Sequence, residues 1–237
     1  MRTLQSTARF GDDMSFEGFK KETFEFLMEL TFNNNIEWFN LNRKRYETFV
    51  RDPLRALTAE LMPAALDIDP NFNPSVNSSV SRIRRDTRYS YDKSPFRNHM
   101  WIAFRYPGTS VSEGCALYFE ITPTDYSYGF GFYAASTEFM QAYRKRLLAD
   151  PHGFLAMAHE LEANGYGYNA DPYKRDHYKD ADADLKPYIN VKSFAWTKHF
   201  NDIGSLIEPS DIKDRLVHDY DLARPMYALM RSVIESI

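Results

Sequence analysis

The spacing of apolar residues changes once along this chain, from helical periodicity before residue 66 to alternation after residue 76. Extended apolar runs at 99–106, 115–122 and 126–133 follow, joined by links of eight and three residues. These links are too short for the crossover helices that parallel strands need, whereas tight turns can join antiparallel strands. The sequence therefore predicts an α+β fold, with a mostly antiparallel central sheet and N-terminal and C-terminal helices packed on it.

Capping residues indicate where the helices begin. Ser, Asn and Asp side chains accept hydrogen bonds from the free amides of a first helical turn. We expect helices to begin at Ser15, Asn35, Asp52, Ser136 and Asp150, and two more to cover 210–217 and 221–237. We expect a strand at 76–83 and a short one within 188–200. The polar, tyrosine-rich stretch 166–184 predicts a long ordered loop or lid.

Composition sets the class of protein. With 237 residues, of which 43% are hydrophobic, the chain has ample material for a core, and we expect a flexible segment at 1–14 followed by one α+β domain at 15–237. Cys115 is the only cysteine, which excludes an internal disulfide and favours a reducing cytoplasm. No apolar run has membrane-spanning length, and Met1 to Asp13 lacks the hydrophobic middle of a secretory signal. We therefore expect a soluble protein without a membrane partner.

One segment reverses the charge of the chain. Residues 82–97, which we call the arginine segment, hold six basic and two acidic side chains in a protein of formal net charge −4. If the segment is extended, one face presents Arg82, Arg84, Asp86 and Arg88. Guanidinium groups bind phosphate or carboxylate through paired hydrogen bonds, and Lys93 adds a mobile positive charge. The segment is therefore a candidate anion site, in which Asp86 orients a guanidinium.

Two aromatic residues of the predicted second helix complete the candidate ligand-binding set. Trp38 and Tyr46 lie about two turns apart, where they can wall a pocket or stack on a base. Aromatic residues at helical spacing also fill hydrophobic cores, so both interpretations stay open.

The motifs on either side of these positions resemble a known family. The residues that carry the resemblance are Asn34-Asn35-Ile36-Glu37-Trp38-Phe39, Asn42-Arg43, Tyr46, the run Arg82 to Ser90, Asp92 to Phe96, and the later Gly129, Gly131 and Arg144. This pattern is similar to the bacterial and fungal family labelled domain of unknown function 2461, from about Phe16 into the last helices. The resemblance implies a soluble α+β protein and implies no activity. Ile36 and Tyr89 stand where Arg and Phe are common in relatives, which leaves Ile36 out of any charge network.

Three functional hypotheses follow. The leading one is a pocket for a small anionic ligand that bears phosphate or carboxylate. The second is a nucleic-acid accessory protein, although 29 basic against 33 acidic side chains argue against a broadly basic surface. The third is an interaction protein whose arginines are neutralised internally by acids such as Asp86 and Glu37. The pattern assigns neither a reaction nor an oligomeric state.

Cofactor motifs are weak. Gly129 to Ala134 matches a loose dinucleotide pattern, but no βαβ unit surrounds it, and a bulged antiparallel strand explains the glycines better. His152 and His159 are seven residues apart, which is not the spacing of a zinc-binding helix. We therefore expect no cofactor and no metal site.

Overall fold

The computed structural model describes residues 15–109 and 114–237. The flexible segment expected at 1–14 lies outside the described residues. The helices are α1 Lys21–Phe32, α2 Ile36–Tyr46, α3 Asp52–Ile68, α4 Val76–Ser79, α5 Thr137–Ala149, α6 Pro151–Ala163, α7 Lys186–Ile189 and α8 Ile212–Ile234. The strands are β1 Met100–Phe104, β2 Ala116–Ile121, β3 Tyr126–Gly131, β4 Gly167–Pro172 and β5 Val191–Phe200.

The described strands form one five-stranded sheet in the order β1-β2-β3-β5-β4. Every neighbouring pair is antiparallel, which confirms the predicted α+β class and sheet type. Helices α3, α5, α6 and α8 contact the strands. Among the described residues, no helix combines the length and the apolar composition needed to cross a membrane. The extent of the predicted single domain stays a prediction.

The first predicted helix boundary is wrong. Helix α1 begins at Lys21 rather than after Ser15, because Phe19 forms an isolated parallel bridge with Ile207. The Phe19 amide donates to the carbonyl of Leu206 at 2.7 Å. This contact joins the start of the chain to the segment before α8, and local sequence carries no signal for it.

The break expected at Asp52 does not occur. A π-helical turn, Glu47–Arg51, joins α2 directly to α3, and the Asp52 amide donates to the carbonyl of Glu47. Helix α3 then continues through Pro63 to Ile68. The wide π turn shifts the hydrogen-bond register just before Pro53. Proline has no amide hydrogen to donate, but because of this shift its position does not interrupt the helical hydrogen bonds.

The strand expected at 76–83 is also wrong. Residues Val76–Ser79 form a single helical turn, and only Val80 pairs with the sheet, through a bridge to Ile102. Val76 and Val80 are four residues apart, a spacing that suits either a helix or a strand. The apolar spacing of Val76 and Val80 therefore did not distinguish a helix from a strand.

The C-terminal third differs in two places. The loop expected at 166–184 contains β4, whose mostly exposed edge position leaves little apolar alternation to detect. The two helices expected after residue 210 are one helix, α8, which passes through Pro225. The predicted short strand is the ten-residue β5.

Candidate functional site

The arginine segment forms a closed loop just before β1. The two arms of the loop pair with each other at its base. Arg84 pairs with Phe96 in an isolated antiparallel bridge, and the Arg85 amide donates to the carbonyl of Pro95 at 3.0 Å. Nearer the tip, Lys93 Nζ donates to the carbonyl of Thr87 at 2.9 Å. The backbone therefore fixes the loop at its base, and Lys93 ties its two arms together.

The α1–α2 turn holds the base of this loop. Asn34 donates from Nδ2 to the carbonyl of Phe96 at 2.9 Å, and its Oδ1 accepts from the Phe96 amide at 3.0 Å. The Phe96 ring is 1% exposed and stacks on Phe39. A side-chain amide and an apolar contact, rather than ion pairs, connect the loop to the helices.

Side chains alternate along the first arm as expected for an extended segment. Ile83 is buried, and Arg85 and Thr87 are partly buried. The exposed positions are Arg82, Arg84, Asp86 and Arg88. Three guanidinium groups and one carboxylate therefore stand on the open side of the loop.

Two of the loop arginines are paired with carboxylates. Asp86 accepts from Arg88 Nη2 at 2.6 Å and from Nε at 2.9 Å, and these bonds lower the pKa of Asp86 to about 2. Asp92 accepts from Ser94 and forms an ion pair with Arg85. The hydrogen bonds from Ser94, followed by that from Arg85, lower the pKa of Asp92 well below its usual range. Asp86 therefore holds the Arg88 guanidinium through these hydrogen bonds.

Arg82 and Arg84 have no acidic partner within the described residues. The Arg84 guanidinium lies over the Phe96 ring, 5.5 Å from its centroid. Arg97 is different, because it donates to the carbonyls of both Arg82 and Arg84 and lies 5.1 Å from the centroid of Trp101. Two exposed guanidinium groups thus remain available to an external anion, whereas Arg97 supports the backbone beneath them.

The predicted aromatic residues pack between α1 and α2. The centroid of Trp38 is 5.6 Å from that of Phe26, and Tyr46 is only 8% exposed, with its ring 5.4 Å from Phe39. Burial raises the pKa of Tyr46 to about 12. The core interpretation therefore describes Tyr46, whose ring packs against Phe39. A direct ligand role for either ring stays a prediction.

Sequence reasoning missed two residues of this surface. Tyr89 and Tyr91 are 94% and 104% exposed, at the tip of the loop between Arg88 and Lys93. The Arg88 guanidinium lies 5.8 Å from the centroid of Tyr89. The sequence did contain a signal for this exposure. Both tyrosines lie in a segment without apolar periodicity, so no pattern predicts a core position for them.

A family model described as Conserved hypothetical protein (DUF2461) matches residues 22–228, a range that includes the whole arginine segment. This match confirms the resemblance expected from the motifs. No curated protein matches the chain.

Proposed function

The chain belongs to the DUF2461 family, whose description assigns no activity, and we propose from the geometry that its arginine segment binds a small anionic ligand bearing phosphate or carboxylate. The observation that carries this proposal is the pair Arg82 and Arg84. Both side chains are exposed on one side of the loop, and neither has a carboxylate partner among the described residues.

The spacing of these two arginines suits an anion with several oxygen atoms. Alternate residues of an extended segment lie about 6.6 Å apart at Cα and point to the same side. Each guanidinium offers up to five N–H donors in a planar fork. A phosphate or carboxylate placed between them accepts hydrogen bonds from both and relieves the repulsion between two unpaired positive charges.

The neighbouring charges keep that arrangement in place. Arg88 is held by Asp86, and Lys93 is held by the Thr87 carbonyl. Both still contribute positive charge near the tip. Cationic groups of this kind also stabilise negative charge that develops during a reaction, but we assign no reaction to the loop. We also propose a cytoplasmic location, because the single cysteine, Cys115, is a buried free thiol.

A second candidate function is binding of single-stranded nucleic acid. The exposed rings of Tyr89 and Tyr91 lie beside Arg88 and Lys93 on an open surface. Aromatic rings interleaved with cations are the usual means of stacking bases while neutralising the backbone. The exposed tyrosines beside cations favour a nucleic-acid ligand, whereas the near balance of basic and acidic residues in the whole chain favours a small ligand.

Calorimetric titration with inorganic pyrophosphate tests the first candidate. We expect saturable binding to the wild-type chain, and about tenfold weaker binding after Arg82→Gln or Arg84→Gln, because each change removes charge-assisted hydrogen bonds. Arg146→Gln is the matched control, since Arg146 is also exposed but lies on α5. Equal affinity in all four proteins would rule out this site. Native mass spectrometry of the purified chain reports any anion that it retains.

A salt series with an oligothymidine separates the second candidate from the first. Binding to a single strand weakens log-linearly with salt, with a slope of about −0.7 for each neutralised phosphate. We expect Tyr91→Ala to weaken oligothymidine binding and to leave pyrophosphate binding unchanged. A shallow slope together with no effect of Tyr91→Ala contradicts the nucleic-acid function.

A further inference from the structure

Three charged side chains in the described part of the chain are more than nine-tenths buried: Asp69, Arg144 and Asp219. Two of them have a counter-charge. Asp69 lies 3.5 Å from Arg231, and Asp219 lies 2.8 Å from Lys198. Arg144, which is 6% exposed, has no acidic side chain within ion-pair distance among the described residues. A buried charge without a counter-charge is costly, so this position requires an explanation.

Neutral acceptors satisfy only part of the Arg144 guanidinium. Its Nε donates to the carbonyl of Ile189 at 3.1 Å, and Nη2 donates to the carbonyl of Val191 at 2.5 Å. The hydroxyl of Tyr173 lies 3.5 Å from Nη2. Three of the five N–H groups are accounted for in this way, and Nη1 has no acceptor among the described residues. The positive charge itself is not neutralised by these partners.

Two tyrosine rings border the guanidinium. The centroids of Tyr173 and Tyr178 lie 5.5 Å and 5.8 Å from Arg144 Cζ, and both side chains are only half-buried. Aromatic faces attract a cation, yet they carry no negative charge. Both rings therefore lie against the buried guanidinium and also reach the surface.

Two of the acids in this region are already paired with lysines. Asp171 lies 3.1 Å from Lys192, and Asp176 lies 3.0 Å from Lys186. Lys192 itself lies 5.8 Å from the Tyr173 ring, on the approach to the same residue. Among the described residues, Arg144 therefore has no counter-charge within ion-pair distance.

We propose that Arg144, Tyr173 and Tyr178 form a binding site for a small monocarboxylate. One carboxylate oxygen accepts from the free Nη1 of Arg144, and the other accepts from the Tyr173 hydroxyl, whose oxygen faces Nη2. The single charge of a carboxylate equals the charge that lacks a partner. A phosphate dianion would leave an excess negative charge there. This site is independent of the arginine segment.

The test replaces sodium chloride by sodium acetate at constant ionic strength, with the full chain. We expect saturable acetate binding by calorimetry and a rise in melting temperature with acetate concentration. Tyr173→Phe keeps the ring and removes the hydroxyl, so acetate should bind about tenfold more weakly. Arg144→Met should abolish binding, and Tyr173→Phe keeps the test decisive if that variant does not fold.

Two controls accompany these variants. Tyr133→Phe removes a hydroxyl from a ring that is 86% exposed, and Arg146→Gln removes an exposed guanidinium from α5. Both should bind acetate like the wild-type chain. Absence of any acetate effect on the wild-type chain, or equal binding by Tyr173→Phe and Tyr133→Phe, would overturn the proposal.

Discussion

The ring of Phe96 stacks on the ring of Phe39, with their centroids 4.1 Å apart and their planes 18° apart. Arg84 lies over Phe96 at 5.5 Å, and Arg43 lies over Phe39 at 5.6 Å. The stacked pair thus joins the arginine segment to α2. One guanidinium lies over each of the two rings. Since apolar packing makes this connection, the exposed arginines are not needed to hold the loop.

Replacement of Phe96 by Ala should destabilise the protein by about 3–5 kcal/mol, because a fully buried ring is lost and a cavity remains. The measurement is urea-induced unfolding followed by circular dichroism. Tyr89→Ala serves as the control, since Tyr89 is exposed at the tip of the same loop, and we expect a change within about 0.5 kcal/mol. Equal effects of the two substitutions would contradict the anchoring role of Phe96.

Arg84→Met distinguishes a ligand site from an internal charge network. Arg84 has no carboxylate partner among the described residues, and Met retains an apolar contact with Phe96, so we expect stability to change by less than about 1 kcal/mol. Arg97→Met should cost more, about 1–3 kcal/mol, because it leaves the carbonyls of Arg82 and Arg84 without a donor. A large loss for Arg84→Met in denaturant titrations would support the architectural hypothesis instead.

Local chemistry made some of these features predictable from sequence. Asn35, Ser136 and Asp150 each accept a hydrogen bond from an amide three residues later, as their side chains predict. Short links between β1, β2 and β3 fixed the antiparallel pairing. The exposed alternation from Arg82 to Arg88 is likewise a local property of an extended backbone.

Other features depend on partners far away in the sequence. Tyr46 is buried because Phe26 and Phe39 surround it, and the spacing within α2 does not say which face meets another helix. The unpaired charge of Arg144 could not be predicted either, since its acceptors lie about 45 residues later in the chain. Strand β4 escaped detection because an exposed edge strand needs little apolar alternation.

Asp219 should make stability depend on pH. Burial alone would raise the pKa of this carboxyl, but hydrogen bonds from Lys198, Tyr128 and His218 outweigh it, and the pKa is lowered. A carboxyl with a lowered folded-state pKa stabilises the protein above its unfolded pKa, about 3.9, and loses that contribution as pH falls through the folded value. The stabilisation from Asp219 is therefore complete near neutral pH.

Asp219→Asn tests this pH dependence. Near pH 7 the substitution should cost about 3 kcal/mol, because the Lys198 side chain, which is 13% exposed, loses its counter-charge. The difference from the wild-type chain should shrink below about pH 4, where the unfolded-state carboxyl takes up a proton, and should continue to shrink as pH falls through the lower folded-state pKa. Free energies of unfolding at several pH values provide the measurement. A difference that does not change between pH 7 and pH 3 would show that the ionised form of Asp219 contributes nothing.

Gly129 should tolerate no side chain, because β3 and β5 approach closely there. A Cβ atom at Gly129 would lie 1.9 Å from the carbonyl oxygen of Trp196. That oxygen cannot move away, because it belongs to the backbone of β5, which is paired with β3. We expect Gly129→Ala to lose more than about 4 kcal/mol or to fail to fold. Gly167→Ala on β4 is the matched control, since its nearest atom is the Thr197 carbonyl oxygen at an ordinary 3.6 Å. If both variants unfold at the urea midpoint of the wild-type chain, the pairing of Gly129 opposite Thr197 is not the one in solution.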